Sequence, residues 1–234
     1  MTGPHPGCRR LVPLLAALPL LGGSICGEVL ADIAQRELIL DPVAEVAFVV
    51  DSGSVEVYAF NRNGISLFNY LVGSLYDIGP VEWEIADDTL EVASVCDSFD
   101  HCNVDWYAEV PFGTAVDVVT HRGGVKVTGV DGPIVADVEG GGFEGVHVRA
   151  STLDITVEAG DVAVAMIVPP TSARVSVGEG NVELTLPPGA YLCELASADG
   201  SVDTTGVTCD AMATAVIHVD VELGDIVLLP GPMP

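Results

Sequence analysis

Thr152-Leu153-Asp154-Ile155-Thr156-Val157-Glu158-Ala159-Gly160-Asp161-Val162-Ala163-Val164 is followed by Ser172-Ala173-Arg174-Val175-Ser176-Val177-Gly178-Glu179-Gly180-Asn181-Val182-Glu183-Leu184. Set with their glycines twenty residues apart, the two stretches repeat one pattern. Leu153, Ile155 and Val157 alternate with Asp154 and Thr156; Ala173, Val175 and Val177 alternate with Arg174 and Ser176. A period of two places the apolar residues on one face of a strand and the polar ones on the other. After the glycine come a small polar residue and a second, shorter alternation. Each unit therefore reads as strand, glycine turn, strand.

The same signature recurs outward from this pair. Gly53-Ser54-Val55, Gly123-Gly124-Val125, Gly200-Ser201-Val202 and Gly224-Asp225-Ile226 each carry glycine, a small residue and an apolar residue. Ile217, Val219 and Val221 precede Gly224 as Leu153, Ile155 and Val157 precede Gly160. Glycine suits a turn that needs positive φ. Pro169-Pro170 and Pro187-Pro188-Gly189 supply the opposite turn. One such unit cannot bury its apolar stripe alone, so units must stack. The expectation is an all-β, single-stranded β-helix, a β-solenoid of about twenty residues per coil. An antiparallel sandwich accounts for the alternation but not for the fixed step.

Composition sets the surroundings. Eight Lys and Arg stand against 34 Asp and Glu, a formal net charge of -26 over 234 residues. Such a surface repels nucleic acid, because it adds to phosphate charge and releases no counterions. It also repels anionic headgroups. The first 26 residues differ: they hold no acid, and Arg9-Arg10 precede the apolar run Leu11 to Leu21, then Gly22, Gly23 and Ser24. A basic start, a short apolar stretch and small residues read as a secretory signal at 1–26, too short to span a bilayer. Cys26 after that run offers a lipidation site, although Ile25 departs from the small residue such a signal wants. A lipid anchor at Cys26 would be the one route to a membrane.

Four cysteines follow: Cys96, Cys102, Cys193 and Cys209. In an exported chain an even number reads as disulfides, with three pairings open. The local pairing, Cys96 with Cys102 and Cys193 with Cys209, is favoured. The second bond closes a 17-residue loop and would stabilise by roughly 3 kcal/mol in the chain-entropy picture.

Residues 38–110 are less regular. Leu38 to Leu40, Val46 to Val50, Val81 to Ile85, Leu90 to Val92 and Val104 to Val110 read as strands, interrupted by an insertion from Ile65 to Gly79 with exposed aromatics Phe68, Tyr70 and Tyr76. The chain divides into a signal at 1–26, a linker at 27–37, one domain at 38–229 and a disordered tail at 230–234. Val110-Pro111-Phe112-Gly113-Thr114-Ala115-Val116-Asp117-Val118, then Gly124-Val125-Lys126-Val127-Thr128-Gly129-Val130 and the later Gly-Asp-Val and Gly-Asn-Val steps, resemble the bacterial putative-adhesin domain family, related to auto-transporter adhesin heads. The resemblance covers roughly 38–229. It implies an extracytoplasmic right-handed β-solenoid and, by its name, adhesion. No catalytic residue comes with it.

No other motif carries chemistry. Gly140-Gly141-Gly142-Phe143-Glu144-Gly145 spells a dinucleotide fingerprint but continues into Val146-His147-Val148 as strand, where a nucleotide site needs a helix. Asp97, Asp100, His101 and Asp105 cluster oxygens and an imidazole, without the glycine a calcium loop bends on. The histidines His5, His101, His121, His147 and His218 are scattered. No catalytic, metal or cofactor residue is assigned. Expected partners are a surface, a glycan or an envelope protein. The competing readings are a polysaccharide-active enzyme using the outward acids Asp154, Glu158, Glu183 and Asp203, and a structural component of envelope-stress sensing.

Overall fold

The computed structural model describes residues 30–39, 43–74, 78–96 and 102–232. Every regular element among them is a strand. The first ten are β1 (Leu30–Ile39), β2 (Glu45–Val50), β3 (Val55–Phe60), β4 (Ile65–Ser74), β5 (Ile78–Ala86), β6 (Thr89–Cys96), β7 (Cys102–Pro111), β8 (Ala115–Arg122), β9 (Val125–Thr128) and β10 (Ile134–Gly140). The rest are β11 (Phe143–Val148), β12 (Thr152–Ala159), β13 (Val162–Met166), β14 (Ser172–Glu179), β15 (Val182–Leu186), β16 (Ala190–Asp199), β17 (Val202–Asp203), β18 (Thr208–Cys209), β19 (Val216–Leu223) and β20 (Ile226–Pro230). The signal segment 1–26 with Cys26, the loop 97–101 and Tyr76 lie outside the described residues. Residues 30–37, expected as linker, belong to β1, and Pro230, expected in the tail, ends β20.

The strands form two ten-stranded sheets. The first runs β1-β4-β7-β3-β9-β11-β13-β15-β20-β17 and the second β18-β16-β19-β14-β12-β10-β8-β2-β6-β5. Their inward side chains share one core. On β12, Leu153, Ile155 and Val157 are buried; on β13, Val162, Val164 and Met166. Each such side chain contributes roughly 1.5–3 kcal/mol when fully buried.

The single-stranded β-helix is not what forms. Chain order is kept only where β8, β10, β12 and β14 lie side by side, parallel, over β9, β11, β13 and β15. Beyond β14 it breaks: β19 pairs with β14 and β16 lies outside β19, while β20 pairs with β15 and β17 lies outside β20. Burial explains the exchange. Ile217, Val219, Val221, Ile226 and Leu228 are fully buried, whereas β16 offers Cys193, Leu195 and Ser197 to the core side and Val202 of β17 stays 45% exposed. The more apolar pair takes the interior place although it comes later in the chain. At the other end β1–β4, β4–β7 and β5–β6 pair antiparallel. Two mixed sheets result, with no closed solenoid.

The turn glycines line up through their carbonyls. A Cβ on Gly160 would stand 1.9 Å from the Gly141 carbonyl oxygen, and one on Gly180 would stand 2.0 Å from that of Gly160, at φ of +152° and +148°. Gly123, Gly224 and Gly200 make the same close approach to the turn beside them, Gly200 against Gly224, while Gly53 comes as close to the Val104 carbonyl oxygen of β7. The next residue ties turn to turn. Asn181 N–H donates to Asp161 Oδ1 at 2.7 Å, Asp225 N–H to Asn181 Oδ1 at 3.0 Å, and Ser201 N–H and hydroxyl to Asp225 Oδ1 at 2.7 and 2.8 Å. Ser54 donates to Asp105 in the same way. Gly124 and Gly142 occupy this position in two turns, so the polar row has a gap there.

A disulfide joins Cys193 on β16 to Cys209 on β18. It staples the loop that follows β17 against the end of the second sheet. Cys102 is also disulfide-bonded; the side chain of Cys96, its expected partner, lies outside the described residues.

Candidate functional site

Aromatic side chains gather on the outer face of the first sheet. The inward positions of β3, β4 and β7 are filled by Val55 and Val57, Ile65, Leu67 and Leu71, and Val104 and Trp106, all buried. Period two then sends Tyr58 and Phe60, Phe68 and Tyr70, and Tyr107 outward. Phe68 stands opposite Tyr107 across β4 and β7, and Tyr107 stands beside Glu56 across β7 and β3. The Tyr58 and Tyr107 rings stack with centroids 4.8 Å apart and planes 30° apart; Tyr58 and Phe60 are 6.4 Å apart and 11° from parallel. Phe60 is 44% exposed and Leu38, on the neighbouring β1, 58%.

The charged groups of this face are already engaged. The Tyr58 hydroxyl donates to Glu56 Oε2 at 2.8 Å. This bond, with burial and the Glu56 charge, pushes the phenol up to about 12. Burial and the charges of Glu109 and Glu56 also raise Tyr107. Arg62 pairs with Glu109, Lys126 with Glu144 at 2.8 Å, Arg36 donates to the Ser66 hydroxyl at 3.3 Å, and Asp105 accepts from Ser54. The hydrogen bond to Glu144 raises the Lys126 ammonium above its usual range.

Next to the rings the surface sinks. The row Tyr107, Glu56, Lys126, Glu144, Ala163 crosses β7, β3, β9, β11 and β13 in register. Beside it lies a depression of about 470 Å³ lined by Ser54, Glu56, Gly124, Lys126, Gly142 and Glu144 among others. Its place is the gap in the polar row: the neighbouring turns carry Ser54 and Asp161, and these two carry no side chain.

A second groove, of about 710 Å³, is lined by Ala47, Val49, Glu82, Glu84, Glu91 and Ala93 among others. Glu84 and Glu91 face each other there across β5 and β6.

The proposed acid ladder is not assembled. Asp154, Thr156 and Glu158 stand on β12 in the second sheet, and Glu183 and Asp203 on β15 and β17 in the first. Within the first sheet Val227 separates Glu183 from Asp203. The glycine-rich string 140–145 is the turn between β10 and β11 and the start of β11. His121 lies 3.4 Å from Asp51 and 3.5 Å from Glu139, and His218 lies 3.1 Å from Glu194. His147 is exposed at φ 52°, where the pairing of β11 with β13 shifts register. Among the described residues no group of three His, Cys, Asp or Glu side chains could hold a metal ion. No helix among them is long and apolar enough to cross a membrane.

Phe68 and Tyr70 were readable as outward aromatics. Tyr58, Phe60 and Tyr107 were not, because β3 and β7 lie about fifty residues apart in the chain and only their parallel pairing brings the rings together. Outward aromatics on two separate alternating strands were the available signal.

No family model and no curated protein matches the chain. Solved structures do resemble it. A putative cell adhesion protein from Clostridium sporogenes ATCC 15579 is 14% identical with a TM-score of 0.46, over 86% of this chain and all of that one. A putative adhesin from Bacteroides fragilis NCTC 9343 is 10% identical with a TM-score of 0.32, over 85% and 97%. A putative lipid binding protein from Parabacteroides distasonis ATCC 8503 is 12% identical with a TM-score of 0.29, over 86% and 95%. Likenesses this distant assign neither a family nor a function to the chain.

Proposed function

We propose that the chain is a non-catalytic, extracytoplasmic binding module that makes contact through the aromatic end of the first sheet's outer face. One observation carries this reading: five aromatic side chains from three strands converge on the surface rather than in the core. Aromatic side chains bring large contact area at low conformational cost and are enriched where proteins meet partners. A place outside the cytoplasm is supported by the signal-like segment 1–26 and by the Cys193–Cys209 bond, which persists in oxidising compartments. The separation of Asp154 from Glu183 onto different sheets weighs against a polysaccharide-cleaving reading built on them.

The test is retention of the purified chain on a panel of immobilised matrix proteins and polysaccharides. The double variant Tyr58→Ala/Tyr107→Ala should lose retention while its unfolding curve stays cooperative. Equal retention of variant and wild type would refute the proposal.

A further inference from the structure

The aromatic patch and the depression beside it form one continuous strip. It runs Phe68, Tyr107, Glu56, Lys126, Glu144 across five adjacent strands. At about 4.8 Å per strand it is roughly 19 Å long, the length of a short oligosaccharide. The rings lie at one end. At the other, Lys126 and Glu144 rise beside a floor of Gly124 and Gly142.

We infer that this strip binds a neutral glycan chain, one pyranose ring lying on the Phe68–Tyr107 end and the next units placing hydroxyls in the Gly124–Gly142 notch. The inference rests on the contact face named above and gives it a ligand class. Charge decides the class. The carboxylates of the strip are taken: Glu56 by the Tyr58 hydroxyl, Glu144 by Lys126, and, at its margins, Glu109 by Arg62 and Asp105 by Ser54. Lys126 and Arg62 are the other halves of two of these pairs, and Arg36, opposite Phe68 across β1 and β4, donates to the Ser66 hydroxyl, so an anionic chain meets a single cation without a carboxylate partner in a molecule of net charge -26. Glu56 and Asp105 keep their negative charge while accepting from neutral hydroxyls, so Arg36, Arg62 and Lys126 stand against Glu56, Glu109, Glu144 and Asp105, the formal charges nearly cancel along the strip, and a polycation meets no run of uncompensated carboxylates. A neutral polyol suits both halves. Its C–H face packs on aromatic rings, whose faces are apolar and electron-rich. Its hydroxyls both donate and accept, so they can join an existing ion pair without breaking it. A depression of 470 Å³ falls within the usual size range of small-ligand sites.

The notch also supplies a clean perturbation. A Cβ on Gly124 would meet the Gly142 carbonyl oxygen at 3.3 Å and the Gly142 nitrogen at 3.9 Å, so Gly124→Ser fills the gap with a shift of a few tenths of an ångström in the turn.

The experiment is calorimetric titration of the full chain, wild type and the variants Tyr107→Ala, Gly124→Ser and Lys126→Ala, with neutral hexasaccharides of glucose, mannose and N-acetylglucosamine. Polygalacturonate and polylysine serve as charged probes, and sedimentation gives the mass. The expected result is binding of at least one neutral hexasaccharide, weakened tenfold or more in Tyr107→Ala and Gly124→Ser, with unfolding midpoints of Gly124→Ser and Lys126→Ala near wild type. No heat with any neutral saccharide overturns the inference. If a matrix protein or polylysine is then bound in a Tyr107-dependent way, the contact face survives and only the ligand class fails. A doubled mass abolished by Tyr107→Ala would replace the glycan with a second copy of the chain. Saccharide binding untouched by Tyr107→Ala and Gly124→Ser overturns both readings.

Discussion

Replacing Gly160 by alanine tests the line of turns directly. The new Cβ would stand 1.9 Å from the Gly141 carbonyl oxygen and 2.5 Å from its carbon, at φ +152°. That φ is essentially reserved for glycine and costs about 1–3 kcal/mol for another residue. Relieving the clash means moving one turn by more than an ångström against its neighbours, at about 1–3 kcal/mol more, the usual penalty of overpacking. Together these place Gly160→Ala at about 2–6 kcal/mol, a range that reaches the severe single substitutions. For a domain of this size the fall in Tm is then roughly 4–24 °C, at about 2–4 °C per kcal/mol. Urea unfolding followed by far-ultraviolet circular dichroism reads the change, with Gly124→Ala as the control. Its Cβ meets nothing nearer than 3.3 Å, and it should stay within about 1 kcal/mol of wild type. If Gly160→Ala were no less stable than Gly124→Ala, the argument from backbone contact would be wrong.

Two further outcomes follow from the end of the molecule where β16 and β17 lie. Cys193→Ser/Cys209→Ser should cost about 3 kcal/mol, and amide exchange should quicken in residues 190–215 while β12 to β15 keep their protection; uniform quickening would mean that the bond does more than hold that end. Asp225 has its carboxyl held below the ordinary range by the backbone N–H and hydroxyl of Ser201. Because the folded value is lowered, its contribution is present above the unfolded value of about 4 and is lost as pH falls through the folded one. The stability gap between wild type and Asp225→Ala should therefore shrink as pH drops below about 4 in urea titrations, and a gap that widened would contradict the sign.

The sequence displayed the strands of the middle of the molecule because their alternation is local: Leu153, Ile155 and Val157 need no knowledge of distant residues to be read as one face. The pairing of Cys193 with Cys209 was local too. The order of stacking was hidden, because it rests on a competition between β16 and β19 for the place beside β14, and the twenty-residue step points to the wrong winner. Comparing Ile217, Val219 and Val221 with Cys193, Leu195 and Ser197 would have named the right one. Of β1 only the end at Leu38 and Ile39 was read as strand and the rest went to the linker, since its pairing with β4 is antiparallel and outside the repeat. At the site, alternation told which aromatics face outward but not which strands become neighbours. The notch at Gly124 and Gly142 was visible only as the lack of a polar residue after a turn glycine, a signal that gains meaning once the Asp161–Asn181–Asp225 row is known.

The exchange of β16 and β19 also governs when the protein can finish folding. A chain that has emerged, N-terminus first, through Ala215 carries β16 and β17 but not the strands that separate them from β14 and β15. Until residues 216–230 arrive, the edges of β14 and β15 that face away from β12 and β13 lack their native partners, the condition in which strands recruit one another between molecules. Residues 216–230 thus act as a wedge, and a truncation before β19 should yield aggregates rather than a shorter, soluble version of the fold.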